Sequence, residues 1–146
     1  MFVRTDRAKR VGHARGIQLR PAVRAEIVAH AREDAPRECC GLLVGHGSLV
    51  LESVRSPNVD PDPNRYEIDA RVHVATNRRL RGTGRAVVGA YHSHPHSPAW
   101  PSASDLAETY YAEFIWVIVS LASGVETLKA FRLDGACIVE LAIDPG

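Results

Sequence analysis

The longest strongly apolar stretch of this chain, Phe114 to Leu121, is eight residues long. That is far below the ~18–20 residues needed to cross a bilayer, so it reads as a buried strand. Cys40-Gly41-Leu42-Leu43-Val44-Gly45 repeats the pattern: it is continuously apolar and too short for a helix. Strands without polar alternation need cover on both faces, so the chain must also supply elements that pack on its sheet. With 146 residues, 45% of them hydrophobic, there is enough material for one such core and not for two.

The remaining pattern supplies that cover. Ile17-Gln18-Leu19 alternates like a strand, and Pro21 opens a helix from Ala22 to about Asp34 with Val23, Ile27 and Val28 as its apolar face. After the Cys40 strand, a Gly-bounded turn leads to a second strand from Ser48 to about Val54, forming a hairpin. Pro57, Asn58, Pro61, Asp62, Pro63 and Asn64 make a loop, followed by a short segment from Tyr66 to Ile68. Apolar residues at 70, 72, 75 and 80, with Arg78, Arg79 and Arg81 late, predict a helix that Gly82 or Gly84 stops. A strand from Ala86 to Tyr91, a Pro-rich loop to Pro101 and a helix from Ser102 to about Tyr111 come next. Strands at Phe114–Ser120, Thr127–Leu133 and Cys137–Ile143 close the chain, the last two joined by a turn at Asp134-Gly135. Helices and strands mix without strict βαβ alternation, which predicts an α+β fold: one domain, a mixed β-sheet with helices packed on it.

Eighteen Lys and Arg against 17 Asp and Glu leave a net charge of +1, so no global basic field argues for nucleic acid or an anionic membrane. The cations Arg4, Arg7, Lys9, Arg10 and Arg15 concentrate near the start, against Asp6 alone. Residues 1–15 are expected to be a basic, disordered leader, without the apolar run of about 7–15 residues that a signal peptide needs. Residues 16–146 are expected to form the domain. Three cysteines, Cys39 and Cys40 adjacent and Cys137 distant, form no disulfide framework. Reduced, inert thiols and a cytoplasmic setting are the expectation.

The chemistry concentrates after the Ala86–Tyr91 strand, where histidines stand at 92, 94 and 96. In extended chain, residues two apart share a face, so His92 and His94 can offer two imidazoles to one point while Ser93 faces away. Asp105, near a helix start, can reach back toward the end of that strand. Two neutral imidazoles and a carboxylate make the three protein ligands of a catalytic zinc site. Blander readings compete. Histidines in a Pro-rich loop are commonly surface residues, and Ser102-Ala103-Ser104-Asp105 is also a capping-box pattern. On this reading a carboxylate that holds a metal does not easily fold back on its own helix amide, so the two roles compete for Asp105. Trp100 reads equally as a wall for an extended substrate or as packing, and His96 as an exposed loop residue or a substrate contact.

The combination is what discriminates. His92-Ser93-His94-Pro95, six residues, then Ser102-x-x-Asp105 resembles the signature of the JAMM (MPN+) zinc metalloprotease family, in its small bacterial-type form. Glu38-Cys39-Cys40-Gly41-Leu42-Leu43-Val44-Gly45 looks like that family's upstream glutamate element, and the segment order from about residue 17 to 143 is similar to its domain. The resemblance implies a cytidine-deaminase-like architecture and one Zn2+ per chain held by His92, His94 and Asp105. It further implies Glu38 as general base and Ser102 as the residue steadying the reacting oxygen. It also implies peptide or isopeptide hydrolysis after the C-terminal Gly-Gly tail of a ubiquitin-like or sulfur-carrier protein. Zinc chemistry suits those roles, since the metal acidifies water to a pKa of about 7 and polarises carbonyls, while a nearby carboxylate moves the proton. Without the downstream motif, Glu38 would read as a surface carboxylate beside Arg37. Two alternatives stand: a metal-dependent amidohydrolase or deaminase of small molecules, and a non-catalytic scaffold. The first lacks the H-x-E and P-C-x-x-C pattern, and the second needs a missing ligand, whereas none is missing. The chain after Asp105 is expected to leave little room for ubiquitin-chain-gripping insertions, and neither nucleic acid nor membrane is an expected partner.

Overall fold

The computed structural model describes residues 16–107, 113–134 and 137–146. The leader, the later part of the helix expected after Ser102 and the turn residue Gly135 lie outside the described residues. In chain order the elements are β1 (Gly16–Leu19), α1 (Pro21–Asp34), β2 (Cys40–His46), β3 (Leu49–Ser56), α2 (Ala70–Leu80), β4 (Ala86–His94), α3 (Ala103–Ala107), β5 (Ile115–Ser120), β6 (Thr127–Asp134) and β7 (Cys137–Asp144). The α+β class expected from the sequence holds. Among these helices none is long and apolar enough to cross a membrane.

The strands form a mixed sheet in the order β1-β3-β2-β4-β5-β6-β7. The short β1 pairs in parallel with β3 through Gln18 and Leu19 and with β7 through Gly16, Ile17 and Gln18, closing the sheet on itself, a ring the local pattern did not suggest. The hairpins β2–β3 and β6–β7 are antiparallel, whereas β4 and β5 run parallel, with Pro95–Pro101 and α3 in the crossover. One boundary matters for function. β4 continues three residues past the expected end, to His94, because it is paired on both sides: His92 faces Cys40 of β2 and Ile118 of β5, and His94 faces Ser120. Ladder pairing outweighs the polar character of these residues, so both histidines belong to a strand end and not to the loop.

Side-chain alternation then sorts β4 and β5 into two faces. Tyr91, Val117 and Val119 pack with Val23, Ile27 and Ala31 of α1. Ile118, with Phe131, Leu133 and Ala99, forms a second core on the other face. Tyr91 is anchored to α1 by its hydroxyl, which lies 2.7 Å from His30 Nδ1, while His30 Nε2 is 3.3 Å from Asp34. α1 starts at Pro21, where the missing N–H costs nothing, and α2 is capped by Asp69, which accepts from the Arg71 amide.

Close approach dictates Gly41. A Cβ there would overlap both the Tyr91 ring and the Val54 carbonyl oxygen, neither of which can yield inside a paired sheet. Gly41→Ala is therefore expected to destabilise the fold by at least ~1–3 kcal/mol, read as a lower urea midpoint at unchanged slope. A midpoint equal to that of the wild type would show that β2 and β4 are not packed as closely as described.

Candidate functional site

The end of β4 and the start of α3 bring His92, His94 and Asp105 to one point. His92 Nε2 lies 3.1 Å from both His94 Nε2 and Asp105 Oδ2, and His94 Nε2 lies 3.3 Å from the same Oδ2. Both histidines are buried. Three atoms bearing lone pairs at this distance need a shared proton or cation between them. Zinc bonds of about 2.0–2.1 Å at tetrahedral angles place donor atoms about 3.3–3.4 Å apart, close to the spacing found. The donor set thus fits a metal ion, and His92, His94 and Asp105 form a metal-capable group among the described residues.

The surroundings prepare these donors. His94 Nδ1 sits 2.8 Å from the Pro98 carbonyl, to which it donates, leaving Nε2 aimed at the cluster. Tyr66 stacks on the His92 ring with centroids 4.2 Å apart and planes 18° from parallel, fixing that imidazole where its buried Nδ1 has no hydrogen-bond partner among the described residues. Burial pulls the His92 pKa down, against the neighbouring Asp105 carboxylate, which raises it. Burial alone would raise Asp105, but the imidazoles of His92 and His94 and the Ser102 amide outweigh it and hold the carboxyl well below its ordinary range.

Asp105 takes both of its expected positions, at the helix cap and facing the histidines. Asp105 N–H donates to Ser102 Oγ at 3.1 Å and Ser102 N–H donates to Asp105 Oδ2 at 2.8 Å, a complete capping box. The same Oδ2 faces both histidines, because a carboxylate oxygen carries two lone pairs and the helix start points at the strand end. Cap and cluster share one atom, and Ser102 Oγ acts in the cap only as an acceptor, so the cap does not use its proton.

Glu38 lies at the mouth of β2, only 9% exposed. Burial pushes its carboxyl up to about 8, with the charge of His94 lowering it and that of Asp105 raising it. The surface reading of Glu38 beside Arg37 fails, since the Arg37 guanidinium turns to the carbonyls of Asn58 and Asp60. Ser93, expected merely to face away, ties this segment to the histidine strand. Its Oγ accepts from Cys39 N–H at 2.8 Å and its own N–H donates to Cys39 O at 3.1 Å.

A family model for prokaryotic homologs of the JAB domain matches residues 20–134, which spans every residue of this cluster. The chain belongs to the Prok-JAB family. It is 33% identical to a desampylase of Haloferax volcanii over 71% of this chain and 80% of that protein. It is 32% identical to a CysO-cysteine peptidase of Mycobacterium tuberculosis over 78% of this chain and 81% of that protein. It is also 31% identical to a probable TtuB-protein conjugate cleaving protease of Thermus thermophilus, over 81% and 76%. Among solved structures, a protein of Desulfitobacterium hafniense aligns with TM-score 0.79 and 31% identity over 87% of this chain and 90% of that one. A JAB1/MPN domain protein of Archaeoglobus fulgidus shares the fold, with TM-score 0.56 at 24% identity over 88% and 98%.

Other residues of the Prok-JAB chain divide as their surroundings dictate. His96 is exposed. Trp100, in the loop that joins His94 to Ser102, packs an edge against Phe131 at 5.3 Å and leaves 48% of its surface open. Cys39 and Cys40 are fully buried with thiols pushed up to about 12, as inert as expected. Sequence reading missed Tyr66, Ser93 and the Pro98 carbonyl. Their roles depend on chain segments that meet only after folding, although the hydroxyl between two same-face histidines was a usable signal for Ser93.

Proposed function

We propose that this Prok-JAB protein is a zinc-dependent peptidase or isopeptidase. Its bond is the one following the C-terminal Gly-Gly-type tail of a ubiquitin-like or sulfur-carrier protein. The observation that carries the proposal is the convergence of His92, His94 and Asp105 donors within 3.3 Å of one another, in a chain similar to conjugate-cleaving peptidases. Those three side chains would hold the ion, which supplies acidified water and a Lewis acid for the scissile carbonyl. Glu38 takes the proton of the attacking water and passes it to the departing amine, a task that its place at the mouth of β2, facing His94 and Asp105, suits. The Ser102 hydroxyl donates to the oxyanion that develops on the substrate carbonyl; removing one such donor costs about 10²–10³ in kcat in other enzymes.

Asn64, Arg65, Tyr66, Ser102, Ser104 and Asp105 line a small polar recess between the 57–68 loop and the start of α3, beside the donor cluster. The similarity to conjugate-cleaving peptidases supports a slender Gly-Gly tail as the segment presented there. A ubiquitin-like carrier with extra residues after Gly-Gly should be cut at that junction, and the same fusion with two bulky residues replacing Gly-Gly should be cut at least about 10-fold more slowly, as read by mass spectrometry. Equal cleavage of both would refute tail selection, and absence of cleavage by the zinc-loaded protein would refute the peptidase reading.

A further inference from the structure

The antiparallel ladder between β2 and β4 ends at Cys40 and His92, with one further bond from Ser93 N–H to Cys39 O, so Glu38 itself has no strand partner. Its backbone is held by the 57–68 loop instead. Glu38 N–H donates to Pro63 O at 3.0 Å, and Glu38 O accepts from Asn58 Nδ2 at 2.9 Å. Asn58 is the centre of that loop. Its Nδ2 also donates to Arg65 O at 2.8 Å, and its Oδ1 accepts from the amides of Asp60 and Glu67, each at 3.0 Å. All four hydrogen-bonding positions of this side chain are used, and turning the amide over would set like against like at every one. The Arg37 guanidinium closes the other side by donating to the carbonyls of Asn58 and Asp60.

We infer that Asn58 is a positioning residue for Glu38 and, through the same loop, for the Tyr66 ring that stacks on His92. The inference rests on the proposed role of Glu38 as base. One amide sets two distances at once: that of the Glu38 backbone from the loop, and that of the recess wall from the donor cluster. If Asn58 only shaped a turn, its contacts with Asp60, Arg65 and Glu67 would suffice. The bond to Glu38, twenty residues earlier, is what joins the turn to the site. Misplacement of a catalytic group by about 1 Å costs about 10²-fold in rate, and loss of this tether permits a shift of that size.

Asn58→Asp separates the functions. Its carboxylate still accepts from Asp60 and Glu67, but it turns a second oxygen toward the carbonyls of Glu38 and Arg65, where donors stood. The test uses the full-length, zinc-loaded protein and a carrier fusion ending in Gly-Gly plus extra residues. It measures kcat, KM, zinc content and amide hydrogen exchange at Glu38 for Asn58→Asp and Asn58→Ala. Expected are a fall in kcat of about 10²-fold with KM changed less than about threefold, retained zinc, and faster exchange of the Glu38 amide while β5 amides keep their protection. A kcat within about twofold of wild type in either folded variant, or a fall in kcat with Glu38 exchange unchanged, overturns the inference. Should the alanine variant not fold, the aspartate variant decides alone. Glu38→Gln, run in parallel, separates the two readings. An active glutamine variant defeats Glu38 as base, whereas an inactive one beside a normal Asn58→Asp defeats only the positioning by Asn58.

Discussion

Glu38→Gln is expected to lower turnover by about 10²–10⁴-fold, the usual contribution of a positioned proton-transfer group, while zinc content stays at that of the wild type. The glutamine keeps the volume and leaves the backbone tethers of Glu38 intact, so the variant should fold and bind metal normally. Only the capacity to accept a proton is removed. The same substitution has a second consequence, in the metal-free protein. Burial holds the Glu38 carboxyl at about 8 in the folded chain against 4.5 when unfolded. Between those values the folded state keeps a proton that the unfolded state has released, so stability falls as pH rises through the window. Glutamine has nothing to release. The advantage of Glu38→Gln over wild type in urea midpoint should therefore be small near pH 5 and widen toward pH 8. Parallel pH curves for the two proteins would show that Glu38 is not desolvated, and wild-type turnover in the glutamine variant would remove it from the chemistry.

Asp105→Asn is expected to abolish tight zinc binding, from about one ion per chain to none after dialysis, because a catalytic site then retains only two protein ligands of full strength. The geometry makes this substitution cleaner than alanine. Asparagine still offers an oxygen to the Ser102 amide, so both halves of the capping box survive, whereas Asp105→Ala removes the ligand together with the acceptor for the Ser102 amide and keeps only the bond from its own N–H to Ser102 Oγ. His94→Ala should match the asparagine variant in metal loss. Elemental analysis gives the occupancy. An independent reading comes from heat: added zinc should raise the melting temperature of the wild type and leave that of Asp105→Asn unmoved, since an ion stabilises only a fold that binds it. Wild-type zinc affinity in Asp105→Asn would reduce Asp105 to a capping residue and dissolve the proposed metal site.

How much of this was legible beforehand follows from the range over which each feature is determined. The runs Cys40–Gly45 and Phe114–Leu121 announced strands because burial on both faces leaves a purely local mark. Pro21 marked the start of α1 for the same reason. The alternation that puts His92 and His94 on one face is a property of extended backbone at any two such positions, and it held. The boundary of β4 was less legible, because it was drawn from the polar character of its last three residues. Pairing with β2 and β5 decided it instead, and neither partner is near in sequence.

The pattern of side chains alone carried the α+β class, most strand and helix positions and the grouping of His92, His94 and Asp105, since spacing and residue type record local geometry and donor chemistry, whereas Glu38 and Ser102 entered only through the family resemblance. Folding decided the rest. That Asp105 caps α3 and faces the imidazoles with one oxygen depends on the angle between a helix start and a strand end, which spacing does not encode. That Glu38 is buried and hung from the 57–68 loop, that Tyr66 covers His92, and that β1 closes the sheet all depend on segments 20 or more residues apart meeting in space. Such contacts form only when the hydrophobic faces on either side of β4 and β5 pack, because that packing holds the strand ends and loops at one place.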